Sequence, residues 1–552
     1  MCSRTALYFL LVTLTSLAHS QPQPVVALFL DKGCPLSQLY TPEVDRLRQR
    51  YASRVLFTVQ ANPRDYGVTI TPSVVVTVNG QVKYRGRIDD RAPALGKLRP
   101  NGPTRADLQI ALDEILSNLP VTVAETVAVG CAITSATVPS ASGVTYARDA
   151  APILNRHCVE CHRPGQAGPF ALTNYDEAKP RAAAIAQATS ARLMPPWKAE
   201  SQAHRFQGER RLSAAEIDTF ERWAAGGAPA GNLAQAPRPP VFPDRWQLGE
   251  PHQIVSMPKP FAVPADGPDI YHCFVIPLSV KEIRYVRAFE FRPGNRRALH
   301  HALLFIDGTG AASRRGPDYP CFGVPGFLPT ASLGGWTPGF TPAPYPDGTA
   351  VTLHPNARLV LQLHYHPTGK PETDRSEVAL YFGPAKPRRR MMDVALGSRN
   401  IDIPPGEANY VVRDYFTLPV DVEVTGIIPH AHYLAREMRG WAILPDSRRI
   451  PLLTIVDWDF NWQQHYRYAK PFVLPEGTRF EMEFRYDNSA ANPRNPFSPP
   501  QRVVWGPDST DEMAGLHLQV IPHNNGDAQE LGQALWGKIM RELGGGIYRR
   551  PE

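Results

Sequence analysis

The sequence predicts a multidomain protein with an α/β domain, then an all-α domain, then two all-β sandwiches of the jelly-roll type, or one long sandwich. Three observations predict this class. Strand-like and helix-like segments alternate over residues 25–118, helix-like sequence covers residues 175–191, and short alternating strands separated by Pro, Gly, Asn and Asp fill residues 247–522. A chain of 552 residues that is 43% hydrophobic has room for three or four packed domains.

The domain boundaries follow from shifts in composition. Gly226 to Pro243 is a linker by composition, rich in Pro, Ala and Gly. The predicted organisation is a signal peptide over residues 1–20, an α/β domain over 21–140, an all-α domain over 141–232, and β-sandwiches over 244–395 and 396–552.

The first twenty residues have the pattern of an export signal. Arg4 precedes an apolar stretch that ends in Ala18-His19-Ser20, with small residues at the expected cleavage site. We therefore expect a secreted or periplasmic protein that begins at Gln21. No later segment has the roughly 18 consecutive apolar residues of a membrane helix, so we expect no membrane span. The net charge of +7 is mildly basic and no nucleic-acid motif is present, so we expect no nucleic-acid partner.

The α/β segment starts with a strand-like run, Val25 to Leu30, followed by a turn that contains Cys34 and a helix-like stretch from Pro42 to Tyr51. With a cysteine between strand and helix, and Thr71-Pro72 before a later strand, the segment resembles the thioredoxin and peroxiredoxin-like fold. A cysteine at a helix N-terminus has a stabilised thiolate, so Cys34 is a candidate redox thiol.

The dithiol motif of that fold is incomplete here. Ser37 occupies the position of the resolving cysteine of thioredoxins. Cys131 remains a candidate to resolve Cys34 or to form a disulfide with it. A scaffold without redox catalysis is the alternative.

The second segment contains the sequence RHCVECHRPG. Cys158, Cys161 and His162 form the CxxCH motif of c-type haem, in which two thiols bond the porphyrin and the histidine binds the iron. A zinc knuckle without its second half and a CxxC disulfide are the alternatives, and an exported location favours haem. The segment resembles a small cytochrome c domain, which implies one covalent haem c with Met194 as sixth ligand. His204 or water is the alternative sixth ligand.

The β region contains three pairs of histidines. They lie about 65 residues apart, at His300 and His301, at His364 and His366, and at His430 and His432. Residues i and i+2 of a strand point to the same face, so the third pair can present two imidazoles to one point. Imidazole suits copper and zinc, and a thioether shifts the preference towards copper. Met513, in the stretch DSTDEMAGLHL, offers such a thioether.

These motifs, in this order over about 270 residues, resemble the copper type II, ascorbate-dependent monooxygenases, the family of peptidylglycine hydroxylating and dopamine β-monooxygenases. The resemblance implies two copper ions, one bound by His300, His301 and His364 and the other by His430, His432 and Met513. The stretches DIYHCFVIP and PCFG resemble the family's disulfide-bonded strand, which implies that Cys273 pairs with Cys321.

Several other residues have a predicted place. His366 shares a strand face with His364, where the family has no ligand, and Met438 and His465 are expected in the core or at the surface. His517 lies on the strand face of Met513 and is a candidate pocket residue.

Two departures from the family bear on the substrate. The peptide-amidating members carry an Arg two residues before the His-x-His pair, where this chain has Ile428. They also carry Asn and Tyr after the Met ligand, where this chain has Gly515 and His517. We therefore do not expect peptide amidation, because an apolar group cannot replace a charge-assisted pair.

The expected activity is a copper-dependent monooxygenase that uses O2 to hydroxylate an activated C–H bond of a small-molecule substrate. The Met513 copper would activate oxygen and the three-histidine copper would store the second electron. Electrons would arrive through the haem from an electron-donor protein, ascorbate or another small reductant. The alternatives are a non-catalytic copper and haem electron carrier, and a module that binds and delivers copper.

Overall fold

The computed structural model describes residues 23–544 except 32, 59–61, 101, 134–142, 167, 201–202, 243–245, 324, 339, 369 and 385. The predicted signal peptide lies outside these residues. The chain forms two compact units. The first comprises residues up to 90 together with 103–134, and the second comprises residues 91–102 together with the chain from 135 onward.

The first unit is a four-stranded sheet with two helices. Its elements are β1 (Val25–Phe29), α1 (Pro35–Tyr51), β2 (Leu56–Thr58), β3 (Ile70–Thr71), β4 (Ser73–Val78), β5 (Gln81–Gly86), α2 (Asp107–Leu116) and β6 (Cys131–Ala132). The sheet order is β2-β1-β4-β5, with β1 and β2 parallel and the other pairs antiparallel. Apolar residues of α1 and α2 pack on one face of this sheet.

The second unit begins with short helices. They are a π-helical turn (Tyr146–Ala150), α3 (Ala151–His157), α4 (Tyr175–Ala178), α5 (Ala182–Ser190) and α6 (Ala214–Ala225). The longest of them has twelve residues. Ser213 and Glu216 cap the start of α6 with a reciprocal capping box, as its Ser-x-x-Glu sequence predicts.

A first β-sandwich follows. Its strands are β7 (Gln253–Ser256), β8 (Phe261–Val263), β9 (Ile270–Pro277), β10 (Arg284–Arg292), β11 (Leu299–Asp307), β12 (Asp318–Pro320), β13 (Ala331–Trp336), β14 (Val351–Leu353), β15 (Arg358–Tyr365), β16 (Glu372–Asp374) and β17 (Glu377–Gly383). The two main sheets have the orders β14-β10-β17-β7 and β12-β9-β15-β11-β13, and their apolar faces share one core.

A second β-sandwich completes the chain. Its elements are β18 (Met392–Gly397), β19 (Asp402–Ile403), β20 (Tyr410–Thr417), β21 (Val422–Ala431), β22 (Ala435–Ile443), β23 (Arg449–Ile455), β24 (Tyr466–Leu474), β25 (Arg479–Tyr486), β26 (Val503–Val504), β27 (Ala514–Pro522) and α7 (Asn525–Gly544). The sheets β18-β27-β21-β24 and β20-β25-β22-β23 enclose a second core.

The predicted fold class is wrong. The described chain is predominantly β, with 27 strands and seven α-helices, most of them short. Residues 141–232, predicted as an all-α cytochrome c domain, do not form one. Trp197 and Phe206 join the core of the second sandwich, and β-bridges connect Glu200 to Thr454 and Phe206 to Tyr468. Because part of its apolar surface is buried against strands, this segment is not an independent helical domain.

Both disulfides of the described chain join residues distant in sequence. Cys273 pairs with Cys321, which confirms the pairing that the family resemblance implied. Cys34 pairs with Cys131, and both residues are buried. These bonds are compatible with an exported protein. In the described part of the chain, no helix combines the length and the apolar character that crossing a membrane requires.

Candidate metal centres

Two neighbouring strands of the first sandwich carry three histidines to one point. His300 and His301 lie on β11, and His364 lies directly opposite His301 on β15. Adjacent residues of a regular strand point to opposite faces, but the β11–β15 register shifts between Leu299 and His301. This irregularity allows the His-His pair to turn both rings to the same side.

The three Nδ1 atoms form a nearly equilateral triangle. They are 3.3 Å apart between His300 and His301, 3.2 Å between His300 and His364, and 3.3 Å between His301 and His364. The centre of such a triangle lies about 1.9 Å from each nitrogen, close to the metal–imidazole distance of about 2.0 Å. Among the described residues, these three form the only cluster of histidine, cysteine or carboxylate ligands this tight.

Partners outside the triangle orient two of the rings. The Asp269 carboxylate lies 2.9 Å from Nε2 of His364, and the Phe460 carbonyl oxygen lies 3.1 Å from Nε2 of His300. Both Nε2 atoms therefore carry the proton, which leaves the Nδ1 lone pairs facing the triangle. Tyr271 also stacks on His364, with ring centroids 4.1 Å apart. The donor set fits a copper or zinc ion.

Burial keeps these rings neutral. It lowers the pKa of His300 to about 3, it lowers the pKa of His301 well below the usual value, and it lowers the pKa of His364 despite the neighbouring carboxylate. Burial raises the pKa of Asp269, but hydrogen bonds from His364 and His366 outweigh that effect and hold it well below the usual range. Neutral imidazole is the form that binds metal.

The second predicted site lies on the second sandwich, where β21 pairs with β27. The last paired positions are Ala431 and Ala514, so His432 directly follows β21 and Met513 directly precedes β27 at the same end of this strand pair. The rings of His430 and His432 are nearly perpendicular, with centroids 5.4 Å apart. Their Nδ1 atoms lie 2.6 Å from Gln463 Oε1 and 3.2 Å from the Asp511 carbonyl oxygen, which leaves both Nε2 atoms for a ligand.

Glu512 holds the methionine segment beside the histidines. Its buried carboxylate accepts hydrogen bonds from the backbone N–H groups of His432, Leu434 and Met513. Burial raises the pKa of Glu512 to about 8, although these backbone donors favour the charged form. Tyr486 adds a hydrogen bond to the Met513 carbonyl oxygen.

One loop connects the two histidine clusters. The Phe460 ring stacks on His300 with centroids 4.3 Å apart and meets His432 edge-on at 5.6 Å. Gln463 donates through Nε2 to the same Phe460 carbonyl oxygen that binds His300, and accepts from His430 through Oε1. A continuous hydrogen-bonded path therefore joins His300 to His430.

A second connection runs through Asp269. Ser509, in the loop before Met513, donates a hydrogen bond to the carboxylate that orients His364. Tyr271 donates to the Pro507 carbonyl oxygen at 3.0 Å. Motif reading missed Asp269, Phe460, Gln463 and Glu512. Only the acidic pair Asp511-Glu512 next to Met513 offered a local signal for one of them.

The remaining singled-out residues lie in different places. His366 is half-exposed and bonds Asp269, outside the triangle of nitrogens. Met438 is buried in the core of the second sandwich, and His465 lies beside Gly426 with its buried Nε2 lacking a hydrogen-bond partner in the described residues. A Cβ on Gly515 would contact both His430 and Nε2 of His517 at 3.7 Å, so His517 is a near neighbour of His430.

The CxxCH segment presents two free thiols. Cys158 and Cys161 are partly buried and not joined in a disulfide. His162 Nδ1 lies 3.1 Å from the Phe170 carbonyl oxygen, which leaves Nε2 available as an axial ligand. A cavity of about 650 Å³ opens beside Cys161, and its wall includes Arg163 and Arg210. These donors fit a covalently attached haem, whose propionates need cationic partners.

The candidate sixth ligands are less clearly placed. Met194 is 41% exposed. His204 stacks on Phe472 of the second sandwich, with ring centroids 3.6 Å apart. Cys34, the candidate redox thiol, is engaged in its disulfide with Cys131.

Comparison with known proteins gives no relative from which function can be transferred. No protein-family model and no curated protein matches the chain. The aligned solved structures include the infectious bursal disease virus VP2 subviral particle (13% identity, 52% of this chain, 75% of that chain, TM-score 0.16) and the STIV MCP (9%, 50%, 95%, 0.21). The major capsid protein P2 from bacteriophage PM2 is a third (7%, 49%, 97%, 0.19). These TM-scores are too low to support a conclusion about this chain.

Proposed function

We propose that the protein is an exported copper-dependent monooxygenase, secreted or periplasmic, which resembles the copper type II family. The observation that carries this proposal is the triangle of Nδ1 atoms from His300, His301 and His364, each pair 3.2 to 3.3 Å apart. With Nε2 protonated on His300 and His364, their Nδ1 atoms are two acceptors 3.2 Å apart, an approach that is repulsive without a cation between them.

The proposed reaction balances with one external donor. A substrate C–H bond, O2, two electrons and two protons give the C–OH product and water. Copper bound at the two clusters would supply the one-electron redox chemistry and the binding of oxygen. His300, His301 and His364 would hold the electron-storing ion, and His430, His432 and Met513 the oxygen-activating one.

The protein's own residues supply the connection between the two ions. The path from His300 through the Phe460 carbonyl and Gln463 to His430 consists of buried contacts of 3.1, 3.1 and 2.6 Å. Short hydrogen-bonded paths favour electron transfer, because the transfer rate falls steeply when electrons must cross a gap without intervening bonds. The Phe460 ring itself contacts one histidine of each cluster, His300 and His432.

Electrons would enter through a covalent haem at Cys158, Cys161 and His162. The cavity beside Cys161 is also lined by residues 292–297, the turn that leads into β11 and His300. A haem edge in this cavity would therefore lie next to the strand that carries the first copper ligands. The reductant is an electron-donor protein, ascorbate or another small molecule.

Metal content and oxygen uptake test the proposal. Purified protein should bind two copper ions, and its oxygen consumption should depend on both a reductant and a substrate from a screen of amines, phenols and benzylic compounds. Copper binding without substrate-dependent oxygen uptake would support the electron-carrier alternative. Reversible copper transfer to an acceptor, again without uptake, would support copper delivery.

The haem has a separate test. Acid and organic solvent should leave the haem absorbance with the denatured protein, and Cys158→Ala with Cys161→Ala should release it. Haem that extracts freely from the unaltered protein would show that it is not covalently attached.

A further inference from the structure

A cavity of about 700 Å³ lies between the two sandwiches, and its described lining includes His465 but none of the candidate ligands of the second histidine cluster. One wall comes from the first sandwich and includes Phe289, Phe340 and Tyr345. The opposite wall comes from the sheet β18-β27-β21-β24 and includes Asp393, Arg467 and Gln519. Aromatic and polar groups therefore face each other across it.

The same sheet face carries the cavity wall and the candidate metal ligands. Gln519 and Arg467 pair with Gly426, while His517 pairs with Ile428 and Gly515 with His430. Because positions two apart along a strand share a face, this row runs from Gly426 to His430 on one side of the sheet. Four residues of strand span about 13 Å. The intervening odd-numbered residue Ile427 points into the core.

The two glycines of that row differ in what surrounds them. Position 426 accommodates only glycine, because a Cβ added there would lie 2.8 Å from Nε2 of His465. A Cβ on Gly515 would meet His430 and His517 only at ordinary contact distance, 3.7 Å. The glycine at 515 is therefore not demanded by close packing, and it keeps the space between His430 and His517 open.

The other end of the cavity is strongly cationic. Lys386, Arg388 and Arg390 line its mouth, and none of the three has a carboxylate partner among the described residues. Arg467 lies deeper, half-buried, and donates to the Pro344 carbonyl oxygen at 3.3 Å. Asp393 is the one carboxylate in the described lining. Lys386, Arg388 and Arg390 are exposed and Arg467 is partly buried. This excess of positive charge favours an anionic ligand, above all at Arg467, where an anion compensates the guanidinium for its loss of water.

We propose that this cavity is the substrate site and that it takes an organic carboxylate with an apolar body. The carboxylate pairs with Arg467 and the mouth arginines, and the apolar part extends along the Gly426–His430 row towards the second cluster. The peptide-amidating enzymes that the chain resembles have an arginine where this chain has Ile428. In this chain the cations lie at the far end of the cavity instead. That the bound molecule is then hydroxylated rests on the proposed function, whereas its binding does not.

Binding to the metal-free full-length protein tests the site. The probes are 8-phenyloctanoate and its primary amide, which differ in charge and hardly in size and are long enough to span the roughly 13 Å between Gly426 and His430. Calorimetry should show the acid binding at least tenfold more tightly than the amide. Arg467→Gln, and separately Arg388→Gln with Arg390→Gln, should weaken binding of the acid at least fivefold and leave the amide unchanged. Arg388 and Arg390 lie on an exposed loop, so their double substitution should not disturb folding. If Arg467→Gln does not fold, the double variant alone decides the outcome.

The matched control is Arg448→Gln, an arginine in an exposed hairpin ion pair with Asp446. It should bind the acid as the unaltered protein does. Equal affinity for acid and amide, or acid binding insensitive to the cavity arginines, would overturn the proposal.

The position of the apolar part has its own variant. Gly515→Leu should weaken acid binding about tenfold, because its side chain would fill the space between His430 and His517. Unchanged affinity would show that the ligand stops short of the second cluster. If all binding results hold and no oxygen uptake follows in the copper-loaded protein, the carboxylate site stands and the monooxygenase proposal fails.

Discussion

The two histidine clusters differ in which ring nitrogen faces the metal position. In the first cluster Nε2 of His300 and His364 binds the protein, which leaves Nδ1 inside the triangle. In the second, Nδ1 of His430 and His432 binds the protein, which leaves Nε2. Nδ1 lies closer to the backbone than Nε2, so the ligand atoms of the first cluster lie nearer their strands, and close together, whereas those of the second cluster extend further from the backbone.

The difference suits two tasks. A compact set of three imidazoles held in register by paired strands gives a metal few open positions, as an electron store requires. The second cluster has two imidazoles, Met513 at the same end of the strand pair, and a glycine at 515 where a Cβ would meet its neighbours only at ordinary contact distance. It therefore leaves room for oxygen and for a substrate. The predictions below separate these tasks.

Removing one imidazole from the compact cluster should have the largest effect. His364→Ala should lower bound copper from two ions to one per chain and reduce turnover at least 100-fold, because the second electron is no longer stored. Metal analysis and oxygen uptake measure both. His366→Ala is the matched control, since this neighbour bonds Asp269 but lies outside the triangle. Loss of copper from both clusters would contradict the assignment of separate sites.

Changing the thioether should abolish turnover while copper stays bound. Met513→His offers a harder donor, which favours Cu(II) over the Cu(I) that must meet oxygen. X-ray absorption of the reduced protein should show a copper–sulfur distance that this variant loses. Met438→Leu, in the core, should keep it. A sulfur signal that persists in Met513→His would show that the ligand is wrongly assigned.

Neutralising the carboxylate behind the compact cluster should have an intermediate effect. Asp269→Asn should weaken copper binding at the three-histidine site about 10- to 100-fold, because His364 loses its charged partner. Competition with a chelator measures it. Asp318→Asn is the control, since Asp318 bonds His272 on the same sheet, away from the triangle. Equal affinities in the two variants would show that Asp269 does not tune the site.

Weakening the anchor of the second cluster should have the smallest effect. Glu512→Gln keeps one accepting oxygen and loses part of its bonding to His432, Leu434 and Met513, so it should lower the free energy of unfolding by about 1 to 3 kcal/mol. Copper at the second cluster should bind a few-fold less tightly and copper at the first unchanged. Thermal unfolding of metal-free protein and copper titration measure these changes. Unaltered stability would show that Glu512 does not hold the segment.

Local patterns predicted several elements well and others poorly. The Ser-x-x-Glu sequence marked the start of α6. The spacing of His430 and His432 predicted one strand for both, but β21 ends at Ala431, so only His430 lies within it. Helix α1 was predicted from Pro42 but begins at Pro35, because Pro42 is tolerated inside it. The helix predicted over 175–191 is interrupted at Lys179–Arg181, where Pro180 removes a backbone donor.

The sequence alone determined which ligand-bearing residues the chain offers and which strand-like segments contain them, because strand periodicity acts over a few residues. That His300 and His301 turn to the same side depends on the irregular β11–β15 register. Only the tertiary structure decided their protonation, their partners and their access. Asp269 meets Ser509 across 240 residues, and Gln463 reaches His430 from a separate loop. Likewise, Trp197 and Phe206 look like part of a helical domain in sequence but bury themselves against β-strands. Burial and long-range hydrogen bonds depend on how the sandwiches pack, and no local pattern records that packing.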